Sequence, residues 1–125
     1  MKIKGLAWLG TRTSKFHEML NLYQNVMGMR LTHQESGFVV LEMPNGDKVE
    51  LFGDESSYNT FFTNPVAGFL VEDIDSARAE LEDHGIVFMG PTQKAEDGNA
   101  WAHFRAPDGF IYELTYIPDH PLLGS

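Results

Sequence analysis

The octet Pro44-Asn45-Gly46-Asp47-Lys48-Val49-Glu50-Leu51 returns in the second half of the chain as Pro107-Asp108-Gly109-Phe110-Ile111-Tyr112-Glu113-Leu114. Both copies read Pro, Asn or Asp, Gly, three residues, then Glu-Leu. The opening triplet is a tight-hairpin signal, because Asn, Asp and Gly tolerate the backbone that such a turn requires. The remainder reads as a strand, with a glutamate at the same depth in each copy. One such octet constrains little. Two of them, each at the end of the same run of element signals, mean that one β-rich unit is written twice.

The signals before each octet agree. Met1 to Leu9 reads as a strand, and Ser14 or Thr13 can cap a helix from Lys15 to Met27. The apolar set of that helix, Phe16, Met19, Leu20, Tyr23, Val26 and Met27, follows three-and-four spacing, and Gly28 stands where a left-handed cap would stop it. Short strands follow over Met29 to His33, Gly37 to Met43 and Asp47 to Phe52. In the second half Pro65 to Val71 is an apolar strand, and Asp73 or Asp75 caps a helix to His84 with Gly85 ending it. Ile86 to Met89, Ala100 to Phe104 and Phe110 to Tyr116 are the strands after it. The expected division is a first module over 1–56, a polar linker over 53–64, a second module over 65–118 and an extended tail over 119–125.

Composition removes several classes of function. With 125 residues the chain can bury a core of its own, and without cysteine it has neither disulfides nor thiolate ligands. No apolar run is long enough for a signal peptide core or a membrane span, so a cytoplasmic setting and no membrane partner are expected. A net charge of −9, with nine scattered Lys and Arg, argues against nucleic acid. There is no phosphate-binding glycine loop, nucleophile elbow or His-Glu-x-x-His helix.

A tandem βαβββ unit with a glutamate in each last strand resembles the vicinal oxygen chelate superfamily, which includes glyoxalase I, extradiol dioxygenases and the fosfomycin and bleomycin resistance proteins. The segments closest to the family pattern are Tyr23-Gln24-Asn25-Val26-Met27-Gly28 and Ala106-Pro107-Asp108-Gly109 leading to Glu113-Leu114. The resemblance implies an α+β fold in which tandem modules form half-barrels around a cavity, and a homodimer. It also implies metal ligands on the first and last strands of both modules. The last-strand positions, Glu50 and Glu113, are kept; the first-strand positions fall at Trp8 and Val66, which cannot ligate. The expectation is therefore no metal cofactor, or a divalent metal held by Glu50, Glu113 and His103.

Strand alternation then sorts the faces. Ile111, Glu113 and Thr115 share the face that the family match turns to the cavity, joined by Trp101, His103 and Arg105, by Lys48, Glu50 and Phe52, and by Leu6 and Trp8. Glu113, His103 and Glu50 are the catalytic candidates, as acid or base. Trp8, Trp101, Arg105, Lys48, Phe52 and Ile111 are the ligand-binding candidates for a small organic molecule. The duller readings are a Glu50–Lys48 rim pair, a relic Glu113 held by Arg105 or backbone N–H groups, and tryptophans that are plain core. Three functions follow: an enzyme of lyase, isomerase or dioxygenase type with no metal or an atypical one; a protein that sequesters a small molecule, as bleomycin resistance proteins do; or a structural or regulatory module. Phe61, Phe62 and the tail from Pro118 to Leu123, with no evident place in either module, are expected at the dimer contact.

Overall fold

The Pro-Asn/Asp-Gly turns close as the repeat demands. Gly46 and Gly109 adopt φ of +90° and +86°, and each donates its N–H to the carbonyl three residues back, Met43 and Ala106 respectively, at 2.9 Å. The structure, a computed structural model, describes residues 1–123. It is a mixed α+β fold, and among the described residues it has nine strands. They are β1 (Gly5–Arg12), β2 (Arg30–Glu35), β3 (Phe38–Glu42), β4 (Lys48–Phe52), β5 (Val66–Leu70), β6 (Val87–Phe88), β7 (Gln93–Lys94), β8 (Ala100–Arg105) and β9 (Ile111–Tyr116). No helix among the described residues is long and apolar enough to cross a membrane.

Contacts divide the chain into two units: Trp8–Val66, and Met1–Ala7 together with the chain from Ala67 onward. The boundary differs from the expected module limits at the N-terminus. The reason is that Lys4 donates its N–H to the Leu70 carbonyl at 2.9 Å, and Ala7 packs with Leu70 and Ile117.

In the N-terminal unit β2, β3, β4 and β1 lie side by side in that order. β1 runs parallel to β4 with Trp8 opposite Lys48, Gly10 opposite Glu50 and Arg12 opposite Phe52. One face buries Val39, Leu41, Val49 and Leu51 against Phe16, Met19, Leu20 and Tyr23 of the helical segment. That segment is shorter in α form than its periodicity predicts: α1 spans Phe16–Asn21, and Leu22–Val26 is a π-helix. Met27 bonds back to Leu22 and Met29 to Tyr23, with Gly28 at φ +76° as the cap. The wider π turn rotates the last residues off the core face, so Val26 and Met27 stand exposed, contrary to the expected apolar stripe. At the front end, the Thr13 hydroxyl accepts the Lys15 N–H.

In the C-terminal unit β5, β9, β8 and β6 are neighbours, and β7 pairs with β8. Helix α2 (Ile74–Asp83) starts where the Asp73 carboxylate accepts the Ser76 N–H, and it ends before Gly85 at φ +84°. Ile74, Ala77 and Leu81 cover Ala100, Ala102, Phe104 and Leu114. The tail is not extended. Pro121–Leu123 is a 3-10 turn, His120 is buried, and Leu123 packs onto Ala7, Leu70 and Ile117. Phe62, likewise expected at a partner surface, is 4 % exposed and lies edge-on to Trp8 and Phe52. These apolar groups are used within their own units.

Candidate active site

Antiparallel pairing of β8 with β9 sets His103 opposite Glu113, Trp101 opposite Thr115 and Arg105 opposite Ile111. The alternate residues Ala102, Phe104 and Leu114 belong to the core under α2. His103 and Glu113 therefore share the face away from the helix. The His103 Nε2 stands 3.1 Å from Glu113 Oε1, and both side chains are nearly inaccessible. Glu113 Oε2 is buried with no hydrogen-bond partner among the described residues. Burial pushes the Glu113 carboxyl well above the usual carboxylate range, because the charged form would lose its hydration. The arrangement is a carboxyl whose burial makes it bind its proton more tightly than a free glutamate, an imidazole nitrogen 3.1 Å from one oxygen, and a second buried oxygen without a hydrogen-bond partner among the described residues. That is the equipment of general acid–base chemistry.

Other expected site residues take different positions. Arg105 is exposed, and its Nη1 donates to the Gly109 carbonyl at 2.7 Å, so its guanidinium is tied to the hairpin turn beside its own strand. Trp101 is half-buried, one row along from the His103–Glu113 row, and Ile111 is buried one row the other way. In the N-terminal unit Lys48, Glu50 and Phe52 share the face opposite the Val49 and Leu51 core, as alternation predicts. Phe52 is 1 % exposed and packs on Phe38 and Phe62. Trp8 is 6 % exposed. Its indole lies across Gly10: a methyl group placed there would come within 2.0 Å of Trp8 Cη2. Trp8 and Phe52 are thus parts of one aromatic cluster around Phe62, a residue whose role sequence reasoning missed because its linker position gives no periodicity.

The metal constellation implied by the resemblance does not fit this donor set. Trp8 and Val66 offer no ligand, the Trp8 ring is packed over Gly10, and Val66 is 2 % exposed. Among the described residues no three His, Asp or Glu side chains stand close enough to hold a metal ion. His103 and Glu113 bring two donors only.

On the helix side of β8 and β9 lies an open recess of about 440 Å³ lined by Phe69, Phe104, Ala106, Pro107, Asp108 and Tyr112. Its polar groups are already engaged. The Phe110 N–H and the Tyr112 hydroxyl both bind the Asp108 carboxylate and hold it below the usual range. Phe69, Tyr112 and Phe104 stack on one another with centroids 6.1 Å apart. The polar groups of this recess are thus committed to one another, whereas the buried Glu113 carboxyl lies on the opposite face.

Comparison with known proteins agrees with this architecture. The family model described as Glyoxalase/Bleomycin resistance protein/Dioxygenase superfamily matches residues 5–114. Among solved structures, methylmalonyl-CoA epimerase from Mycobacterium tuberculosis is similar over 91 % of this chain and 88 % of its own, at 20 % identity and a TM-score of 0.68. A Streptomyces coelicolor methylmalonyl-CoA epimerase in complex with 2-nitronate-propionyl-CoA is similar over 95 % of this chain and 98 % of its own, at 14 % identity and a TM-score of 0.69. A superfamily member from Vibrio splendidus is similar over 87 % and 96 %, at 14 % identity and a TM-score of 0.63. No curated protein matches the chain. With the family model spanning most of the sequence, from β1 into β9, this chain belongs to the Glyoxalase/Bleomycin resistance protein/Dioxygenase superfamily.

Proposed function

We propose that the chain binds a small organic molecule and moves a proton on it, as a lyase or isomerase would, with Glu113 and His103 as the working pair and no transition metal of the family type. The observation that carries this reading is the buried Glu113 carboxyl with His103 at Oε1 and Oε2 left without a partner. Shifting the carboxyl proton from Oε1 to Nε2 leaves a carboxylate beside an imidazolium. Oε2 then takes the proton from a carbon next to a carbonyl, leaving the electron pair on the ligand as an enolate. Return of a proton to that carbon completes an isomerisation, with no oxidant and no net loss of protons. Glu50 lies on a separate strand, opposite Gly10 and Val40, and is not needed for this step.

The similarity to methylmalonyl-CoA epimerases supplies one probe. Exchange of the carbon-bound proton in deuterated water, followed by proton NMR, would be measured with methylmalonyl-CoA and with butanone. The parent should accelerate exchange, and Glu113→Gln and His103→Ala should each lose about 100-fold or more, the usual worth of a positioned acid or base. Variants that fold and exchange like the parent would remove the pair from the mechanism. A parent that binds the probes without exchanging them would instead be a sequestering protein. A cytoplasmic homodimer completes the proposal. Light scattering tests the dimer, whose contact would have to use surfaces other than Phe62 and Leu123.

A further inference from the structure

The two repeated hairpins close alike but differ in charge. Asn45 and Asp108 fill the same place in the repeat. The Asn45 side-chain oxygen accepts the Asp47 N–H at 3.1 Å, and the Asp108 carboxylate accepts the Phe110 N–H at 3.0 Å. An amide therefore suffices for the turn, and the charge of Asp108 is surplus to it. The other Asp108 oxygen accepts the Tyr112 hydroxyl at 2.8 Å. Both donors are neutral, so they keep the carboxylate ionised without cancelling its charge. Two arginines of the same unit are committed elsewhere: Arg105 donates to the Gly109 carbonyl, and Arg78 pairs with Glu82 and lies 4.4 Å from the Phe88 ring centroid.

The helix-side positions beside these hairpins have diverged too. The opposite pairs Val49–Leu41 and Leu51–Thr11 of the first copy correspond to Tyr112–Phe104 and Leu114–Phe69 of the second. Val49 and Leu41 are sealed beneath the helical segment, at 2 % and 0 % exposed. Tyr112 and Phe69 are rings and are only half-buried; with Phe104 they wall the open recess of about 440 Å³ that Asp108 also lines. That volume falls within the usual range for small-molecule sites, about 300–1,000 Å³. Aromatic faces carry negative potential, and so does the carboxylate; a cation gains from both, whereas an anion is repelled by both. We infer that this recess is a binding site for a small organic cation, one whose methylated ammonium head lies on the Phe69 and Tyr112 rings with its charge toward Asp108. The site is on the opposite face of β8 and β9 from Glu113, so its occupancy does not depend on the proton-transfer reading.

Choline is the direct probe, with neohexyl alcohol as its neutral analogue, carrying a tert-butyl group in place of the trimethylammonium. Each would be titrated into the parent at low ionic strength while the backbone amides of Phe69, Asp108, Phe110 and Tyr112 are followed by ¹H–¹⁵N NMR. Choline should shift those amides and bind about fivefold or more tightly than the alcohol. Asp108→Asn keeps the turn, as Asn45 does in the first copy, and should weaken choline by about threefold or more while leaving the alcohol unchanged. Tyr112→Val, which supplies the side chain found at the matching Val49, should weaken choline as well; the Asp108 variant carries the test if that one fails to fold. Choline that leaves the four amides unmoved overturns the proposal. So does an alcohol that binds as tightly as choline, or an Asp108→Asn variant that binds choline as the parent does.

Discussion

Burial acts on Glu113 through its proton, and that gives the residue a pH signature independent of any substrate. At pH values below the ordinary carboxyl pKa of 4.5 the group is protonated both folded and unfolded, and the native state keeps its full share of stability. As pH climbs toward the raised native value, the unfolded chain ionises while the folded one resists, so the unfolded state binds fewer protons and stability falls. Glutamine at this position cannot ionise. The stability of Glu113→Gln relative to the parent should therefore improve as pH rises above 4.5 toward the raised native value, read as urea midpoints. A difference that stays flat with pH would mean that the carboxyl titrates normally. Gly10 makes a second residue-scale case. Gly10→Ala must displace the Trp8 ring, and overpacking of this kind costs about 1–3 kcal/mol. Near-UV circular dichroism in a Trp101→Phe background should show the Trp8 signal change. The Glu113–His103 pair was legible in the sequence because strand period two is rigid, so a shared face follows from counting. The path of Arg105 was not, since a long flexible side chain can reach its own hairpin carbonyl as readily as the strand face.

Elements were read well where one period runs unbroken and poorly where it changes. The helix from Lys15 is correct at its start and at Gly28, yet the 3.6-residue stripe fails after Leu22 because hydrogen bonds from that point close over five residues, a switch with no signature in apolar spacing. The two-residue strand Gln93–Lys94 was missed for a related reason: so short a segment has no periodicity, and pairing with Trp101 and Ala100 alone defines it. Capping was more transparent. Asp73 accepts the Ser76 N–H at 3.0 Å, so Asp73→Ala should destabilise the C-terminal unit by about 1 kcal/mol in chemical denaturation. Asp73→Asn should cost much less. Phe62 shows what a linker position hides. Its ring contacts Trp8, Phe52 and Phe61 at centroid distances of 6.1, 5.7 and 5.2 Å, and Phe62→Ala should cost about 3–5 kcal/mol. A loss below about 1 kcal/mol would mean that the cluster does not hold its unit together.

At the scale of the whole molecule, the duplication has been kept as architecture while its two copies have diverged in chemistry. Each unit carries the same Pro-x-Gly hairpin and the same glutamate beside a strand glycine. In one, an indole lies over the glycine within an aromatic cluster; in the other, the glutamate stands with a histidine and an uncommitted oxygen. A family-type metal centre needs donors from the first strand of both copies, and here those positions hold Trp8 and Val66. Zinc, iron and nickel favour imidazole, and no cluster of three candidate ligands exists among the described residues to compensate. Protein purified without chelator and dialysed exhaustively should therefore contain far less than one equivalent of zinc, iron or nickel per chain by elemental analysis. Adding these ions should not raise its melting temperature, because a ligand specific for the native state would stabilise it by mass action. One tightly held equivalent would overturn the argument, and loss of that metal in both His103→Ala and Glu113→Gln would convert the acid–base pair into a pair of ligands.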